Sequence, residues 1–211
     1  MSMINVMLVD DHAVVRMGFK LLLEATSDIK VIAEAESGEQ AIKLYNEQHP
    51  DVVVMDITMP GIGGLEAVER ILARDSAARI LVLSAHEDSV HPTRVLNAGA
   101  LGYLTKRSAA EELNNAIRSV AARKRYLEAS VAQQMAIQHL TGEKNPVDVL
   151  SGREFEVFMM LAKGKSTNDI AETLNLSPRT IGTHLYNIKQ KLNVSNQAEL
   201  SLIAMRAGLI D

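Results

Sequence analysis

Apolar and polar positions follow two alternating periods over roughly the first 120 residues. Short apolar runs at Ile4–Val9, Ile29–Ala33, Val52–Met55, Ile80–Leu83 and Leu101–Leu104 read as strands. The run from Val52 has three β-branched residues in a row, the pattern of a strand covered on both faces. Between these runs the apolar spacing becomes helical. Val14, Val15, Gly18, Phe19, Leu22 and Leu23 form the first such stretch. Ala41, Ile42 and Tyr45 form the second, which stops near His49-Pro50, and Ala67, Val68, Ile71 and Leu72 the third. A fourth helix is predicted from near Pro92 to Ala98-Gly99-Ala100, and a fifth from about Ala109 to Ala122. Strands alternating with helices predict a (βα)5 doubly wound parallel sheet in residues 1–123. Right-handed crossovers then place every strand's carboxyl end along one edge.

The pattern changes after residue 123. Residues 124–148 read as a joint: Arg125-Tyr126-Leu127 and Ser130–Ile137 could form a short helix, and Thr141–Pro146 is a polar linker rich in breakers. Residues 149–211 predict a separate all-α domain of four helices. Ser151 and Glu154 make a capping box for the first, Ser166 opens the second, and Ser177-Pro178 begin the third. The third carries Ile181, Leu185, Ile188 and Leu192 inward, and the fourth runs from about Asn196 to Ala207. Two short helices joined by a few residues fit helix-turn-helix geometry, although any small four-helix bundle shares that spacing.

Charge sharpens this reading. The net charge is −4 at pH 7, but residues 1–123 carry 12 basic and 17 acidic side chains while residues 124–211 carry 10 and 9. The stretch 173–198 holds no acid and carries Arg179, Lys189 and Lys191, which suits a polyanion-facing surface. Cysteine is absent, which excludes disulfides, thiol catalysis and cysteine zinc sites. Aromatic residues are 3% of the chain, so nucleic-acid binding by base stacking is disfavoured. No run is long enough to span a membrane and no secretory leader is seen, so a cytoplasmic protein without membrane contact is expected.

Candidate chemistry lies at the predicted sheet edge. Asp10, Asp11, Asp56, Ser84 and Lys106 all follow or end strands. Each alone reads as a solvated loop residue, but together they form a set. Clustered carboxylates repel unless a cation joins them, and oxygen ligands suit Mg²⁺, which bridges readily to phosphate. Lys106 offers a point charge for a phosphoryl oxygen and Ser84 a small hydroxyl. The chain has neither GxxxxGK(S/T) nor GxGxxG, so no nucleotide cradle accompanies the set. These residues suit phosphoryl transfer onto a carboxylate without a bound nucleotide.

The motifs VDDH (9–12), VVVMDITMPGIGG (52–64), LVLSAH (81–86) and GYLTK (102–106) resemble a two-component receiver domain. The resemblance implies Asp56 as phosphoacceptor, with Asp10, Asp11, Asp56 and the Thr58 backbone carbonyl around Mg²⁺. It implies Lys106 as phosphate partner, Ser84 as switch hydroxyl and Tyr103 as the aromatic that moves with it. Arg107 stands where many receivers have proline, so a cis-proline is excluded there. From Leu150 to Val194 the chain resembles the LuxR/NarL/FixJ-type DNA-binding domain. That resemblance makes Pro178–Leu192 the recognition helix. Arg179, Thr180, Lys189 and Lys191 are then phosphate contacts, and Gly182, Thr183, Tyr186 and Asn187 face base edges. Family members often carry a basic residue at the positions of Gly182 and Tyr186; this chain does not, so no base preference carries over. MINVMLVDDHAVVR (3–16), RYLEASVAQQMA (125–136) and AELSLIAMRAGL (198–209) resemble the GacA/UvrY/SirA subgroup.

The expected protein is therefore a phosphorylation-controlled transcription regulator and not an enzyme. Its expected partners are a sensor (hybrid) histidine kinase, promoter double-stranded DNA, RNA polymerase and a second copy of itself on DNA. Phosphorylation is expected to alter domain packing or dimerisation. A phosphatase of related architecture would need a second aspartate soon after Asp56, and position 58 is threonine. A regulator that works by protein contact alone would not need the acceptor set.

Overall fold

Strand β1 (Ile4–Val9) lies between β2 (Ile29–Ala35) and β3 (Val52–Asp56), and the sheet continues through β4 (Ile80–Ser84), β5 (Gly102–Thr105) and β6 (Tyr126–Leu127). All of these pairings are parallel. The computed structural model describes residues 3–85, 90–141, 146–207 and 209–210. The chain divides into two compact units, Met1–Ile137 and Gln138–Asp211.

In the first unit, helices α1 (Ala13–Glu24), α2 (Gly38–Gln48), α3 (Gly63–Arg74), α4 (Val90–Asn97) and α5 (Ala109–Ala121) alternate with the strands, as the periodicity predicts. The two faces of the sheet read directly from the period of two. Met7, Val9, Val53, Met55, Ile80, Val82 and Tyr103 enter one core cluster with Ala67, Val68 and Ile71 of α3. Val6, Leu8, Val52, Val54, Leu81, Leu83 and Leu104 enter another with Leu113, Ala116 and Ile117 of α5. Both faces are covered, which is why the strands are almost continuously apolar.

Three local features stand beside the expected pattern. Val14, part of the apolar stripe of α1, is 84% exposed, whereas Leu23 at the other end is buried. Helix α4 is already formed at Val90, so Pro92 lies inside its first turn, where a missing amide costs no hydrogen bond. The third difference is β6, whose two residues pair with Gly102 and Tyr103. It is followed by α6 (Ala129–Thr141), whose Val131 is buried in the core cluster that holds Tyr103. Two residues carry no readable periodicity, so β6 arises from the unpaired edge of β5 rather than from a local signal. At Gly102 a Cβ would come within 2.9 Å of the Tyr126 carbonyl oxygen, so glycine permits this pairing. The linker residues 142–145 and His86 of the LVLSAH motif lie outside the described residues. No cis peptide bond occurs among the described residues, in accord with Arg107 in place of proline.

In the second unit, a 3-10 turn (Pro146–Val149) precedes α7 (Gly152–Ala162), α8 (Thr167–Thr173), α9 (Pro178–Leu192) and α10 (Gln197–Arg206). Side-chain caps open all four helices. Ser151 with Glu154 and Ser166 with Asp169 form complete capping boxes, and the Ser177 and Asn196 side chains accept from Thr180 and Glu199 amides. Helix α7 is central and contacts the other three. Its Phe155 and Phe158 rings stack with centroids 6.2 Å apart. Ile170, Ile181, Ile188, Leu200 and Ala204 supply the buried positions of the remaining helices.

The turn from β3 into α3 leaves no room for a side chain at Gly64. A Cβ there would lie 1.9 Å from the Asp56 carbonyl oxygen and 2.6 Å from Ile57 Cα. Gly64→Ala is therefore expected to destabilise the first unit by about 2 kcal/mol or more. Denaturant unfolding of parent and variant measures this, and an unchanged midpoint would refute it.

Candidate functional site

The order β2-β1-β3 makes the gap beyond β1 and β3 the place where the chain winds in opposite directions, where open parallel sheets carry their sites. Asp10 and Asp11 follow β1, and Asp56 ends β3. Asp10 and Asp56 are buried, 3% and 2% exposed. Lys106, in the turn after β5, reaches both: its Nζ lies 2.7 Å from Asp10 Oδ2 and 2.6 Å from Asp56 Oδ2. The Thr58 amide donates to Asp56 Oδ1 at 3.0 Å and the His12 amide to Asp10 Oδ1 at 2.8 Å. Ser84, fully buried, ends β4, and its carbonyl accepts from the Lys106 amide at 2.8 Å. Tyr103 is also fully buried, its side chain in the cluster that includes Val95 of α4 and Val131 of α6. Asp10, Asp11, Asp56, Ser84 and Lys106 thus come together at one edge, as their positions at strand ends predict.

One ligand atom each from Asp10, Asp11, His12 and Asp56 lies within 4.8 Å of the others. Asp11 Oδ1 is buried, with His12 Nδ1 2.8 Å away. An acidic, oxygen-rich cluster of this kind fits a divalent cation.

Several supporting residues escape sequence reasoning. Arg16 on α1 donates from its guanidinium to the Asp10 carbonyl at 2.6 Å and to Glu34 on β2 at 3.3 Å, holding the Asp10-Asp11 turn to the sheet. Glu39, at the start of α2, accepts from the Ile62 amide at 3.1 Å and so holds the turn that follows Asp56. Glu128, just after β6, accepts from Thr105 beside Lys106. No spacing rule marks Glu39 or Glu128; Arg16 and His12 lie close enough to Asp10-Asp11 for proximity to have flagged them.

On α9, Arg179, Gly182, Thr183 and Tyr186 are exposed, with Thr180, Asn187 and Lys189 half-buried. Tyr186 is 64% exposed, large for an aromatic with no packing role. The two lysines have other partners. Lys189 Nζ donates to the Ser195 carbonyl at 2.9 Å, and Lys191 Nζ pairs with the buried Glu154 at 2.6 Å, tying α9 to α7. Glu154 also closes the α7 capping box; burial pushes its carboxyl up, but Lys191 and the Ser151 donors outweigh that and hold it below the usual glutamate range.

Comparison with known proteins agrees with this arrangement. Residues 6–118 match the response regulator receiver domain, and residues 148–204 match the bacterial regulatory proteins of the luxR family. The chain belongs to the response regulators. It is a DNA-binding transcription regulator controlled through its receiver domain by phosphorylation. It is 44% identical to response regulator UvrY of Escherichia coli strain K12 over 98% of this chain and 96% of that one. It is 40% identical to response regulator GacA of Pseudomonas aeruginosa over 99% of both. A solved complex of the two-component response regulator RcsB with DNA is similar at 25% identity and a TM-score of 0.61, covering 98% of this chain and 99% of that one. Among the described residues no helix is long and apolar enough to cross a membrane.

Electrostatics at the receiver edge yield a pH prediction. Burial, with a smaller push from the Asp10 carboxylate, raises the Asp56 carboxyl to about 6 against the pull of the Lys106 ammonium and the Thr58 amide. Burial disfavours the Lys106 ammonium, but the two aspartates outweigh it and raise its pKa. Between an unfolded value near 3.8 and about 6, the folded chain keeps a proton that the unfolded chain has released. Stability from this group therefore falls as pH rises through that window, by a total on the order of 3 kcal/mol. In chelator, Asp56→Asn is expected to be more stable than the parent at pH 7, with the gap closing toward pH 4. A gap independent of pH, measured by denaturant unfolding, would overturn this.

Proposed function

We propose that Asp56 is the phosphoacceptor and that a sensor histidine kinase is the donor. The carrying observation is the Lys106 ammonium shared between Asp10 and Asp56 at 2.7 and 2.6 Å, a counter-charge already in place at the acceptor oxygen. A carboxylate oxygen of Asp56 attacks the phosphorus of the donor's phosphohistidine. The new O–P bond forms as the P–N bond breaks, and the imidazole leaves with the electron pair. Lys106 then transfers its hydrogen bond from the carboxylate to a phosphoryl oxygen, and the Ser84 hydroxyl donates to another. Tyr103 repacks with them. Asp10, Asp11, Asp56 and the Thr58 carbonyl are the residues that would hold Mg²⁺, which supplies neutralising charge for the phosphoryl oxygens when bound. The receiver slowly loses its own phosphoryl group and turns over no external substrate.

In the same reading, α9 enters the major groove of promoter DNA. Gly182, Thr183, Tyr186 and Asn187 face base edges, while Arg179, Thr180 and Lys189 meet phosphates. Lys191 belongs with them in position, but its pairing with Glu154 makes it first a brace for the helix. Binding is as a homodimer in the cytoplasm, where RNA polymerase is the downstream partner. A near-neutral DNA-binding half gains more from two copies than a strongly basic one would.

Incubation with Mg²⁺ and acetyl phosphate, followed by intact mass measurement, is expected to give one phosphoryl adduct on the parent and none on Asp56→Ala. An adduct on both would place the acceptor elsewhere. On a duplex selected from a random pool, Arg179→Ala is expected to weaken binding about 10-fold and to lower the salt dependence by roughly one phosphate contact. Lys191→Ala is expected instead to destabilise the second unit by about 1 kcal/mol, with a smaller change in salt dependence. The reverse ordering would reassign the two cations.

A further inference from the structure

One buried carboxylate joins the receiver edge to the helix that leads toward the second unit. Glu128, between β6 and α6, is 6% exposed. Its Oε2 accepts hydrogen bonds from the Thr105 amide at 2.9 Å and the Thr105 hydroxyl at 2.8 Å. Its Oε1 accepts from the Ser130 hydroxyl at 2.7 Å. The Glu128 amide donates to the Tyr103 carbonyl at 3.3 Å, and the Glu128 carbonyl accepts from the Ala132 amide in α6 at 2.9 Å. A single residue therefore holds two positions of β5 and two of α6. Burial pushes its carboxyl up, but the Thr105 and Ser130 donors outweigh it and keep it below the usual glutamate range.

What Glu128 grips is the strand end that carries Lys106. Thr105 pairs in register with Ser84, and the next amide, that of Lys106, donates to the Ser84 carbonyl. The end of β5 is thus held by Ser84 on one side and Glu128 on the other. Two residues back, Tyr103 is buried in the cluster that takes in Val131 of α6, with Leu127 and Met135 packed at its margin. A phosphoryl group on Asp56 changes what Lys106 and Ser84 must bond. Hydrogen bonds weaken steeply with misalignment, so a shift of the 105–106 backbone cannot leave the Glu128 bonds as they are.

We propose that Glu128 is a positioning residue that transmits the phosphorylation state of Asp56 from Thr105 and Lys106 to α6. The proposal rests on the reading of Asp56 as phosphoacceptor. It depends on hydrogen bonds and not on charge: a glutamine can accept both Thr105 bonds on its oxygen and donate its amide to the Ser130 hydroxyl.

The test is hydrogen exchange of the α6 amides 129–137 in the full chain, with and without acetyl phosphate and Mg²⁺, with intact mass recorded on the same samples. In the parent, adduct formation is expected to change α6 exchange several-fold. In Glu128→Ala the adduct still forms, and α6 exchanges faster to the same extent in both states. Glu128→Gln retains the dependence, and Thr105→Val, which removes one donor, reduces it. A purely structural role would speed exchange in Glu128→Ala and leave the phosphorylation-dependent difference intact, which overturns the proposal. An adduct on the parent with no change in α6 overturns it as well. Should Glu128→Ala not fold, the Glu128→Gln and Thr105→Val pair decides: loss of the difference in Glu128→Gln, or no reduction in Thr105→Val, overturns it. Absence of any adduct on Asp56 removes the phosphoacceptor reading itself and the relay with it.

Discussion

Asp10 and Asp56 sit almost without solvent beside Asp11, and the Lys106 ammonium between the first two is what makes that tolerable. Buried carboxylates at this separation repel strongly, and loss of hydration adds several kcal/mol for each. One cation, held on a strand-end turn and shared between Asp10 and Asp56, offsets part of that cost. The surrounding structure serves this constraint. Arg16 fixes the turn of Asp10, Glu39 fixes the turn after Asp56, and Ser84 fixes the backbone of Lys106 itself. A site under such internal repulsion must be braced from several elements, and these braces come from α1, α2 and β4.

The same economy of partners shapes the second unit. Lysines that look free in a linear reading of α9 are engaged in holding it: Lys191 to Glu154, and Lys189 to the Ser195 carbonyl. The exposed row that remains is mostly neutral, with Arg179 at its amino end and Tyr186 most prominent. A surface of this kind offers shape and hydrogen bonding more than charge.

The joint between the halves is where local pattern and three-dimensional arrangement part company. Residues 124–148 read as a tether with a short helix because no window there has a clear period. In the folded chain Tyr126 and Leu127 extend the sheet, and α6 covers the cluster around Tyr103. The reason is the edge of β5, whose backbone groups need a partner regardless of which residues supply it.

Strand and helix order, the two-faced sheet, the helix caps at Ser151, Ser166 and Ser177, and the gathering of Asp10, Asp11, Asp56, Ser84 and Lys106 at one edge were all determined by the sequence. Each follows from periodicity, from capping chemistry or from the handedness of crossovers, which act over a few residues or apply to every chain of this class. Val14 turning outward, the sixth strand, and the grips of Glu39 and Glu128 were decided only by tertiary structure. A carboxylate finds its partner across 23 residues of chain by proximity in the packed state, as Glu128 finds Thr105 and Glu39 finds Ile62. Spacing along the chain holds no record of such contacts, because the distance they depend on exists only after the strands have paired.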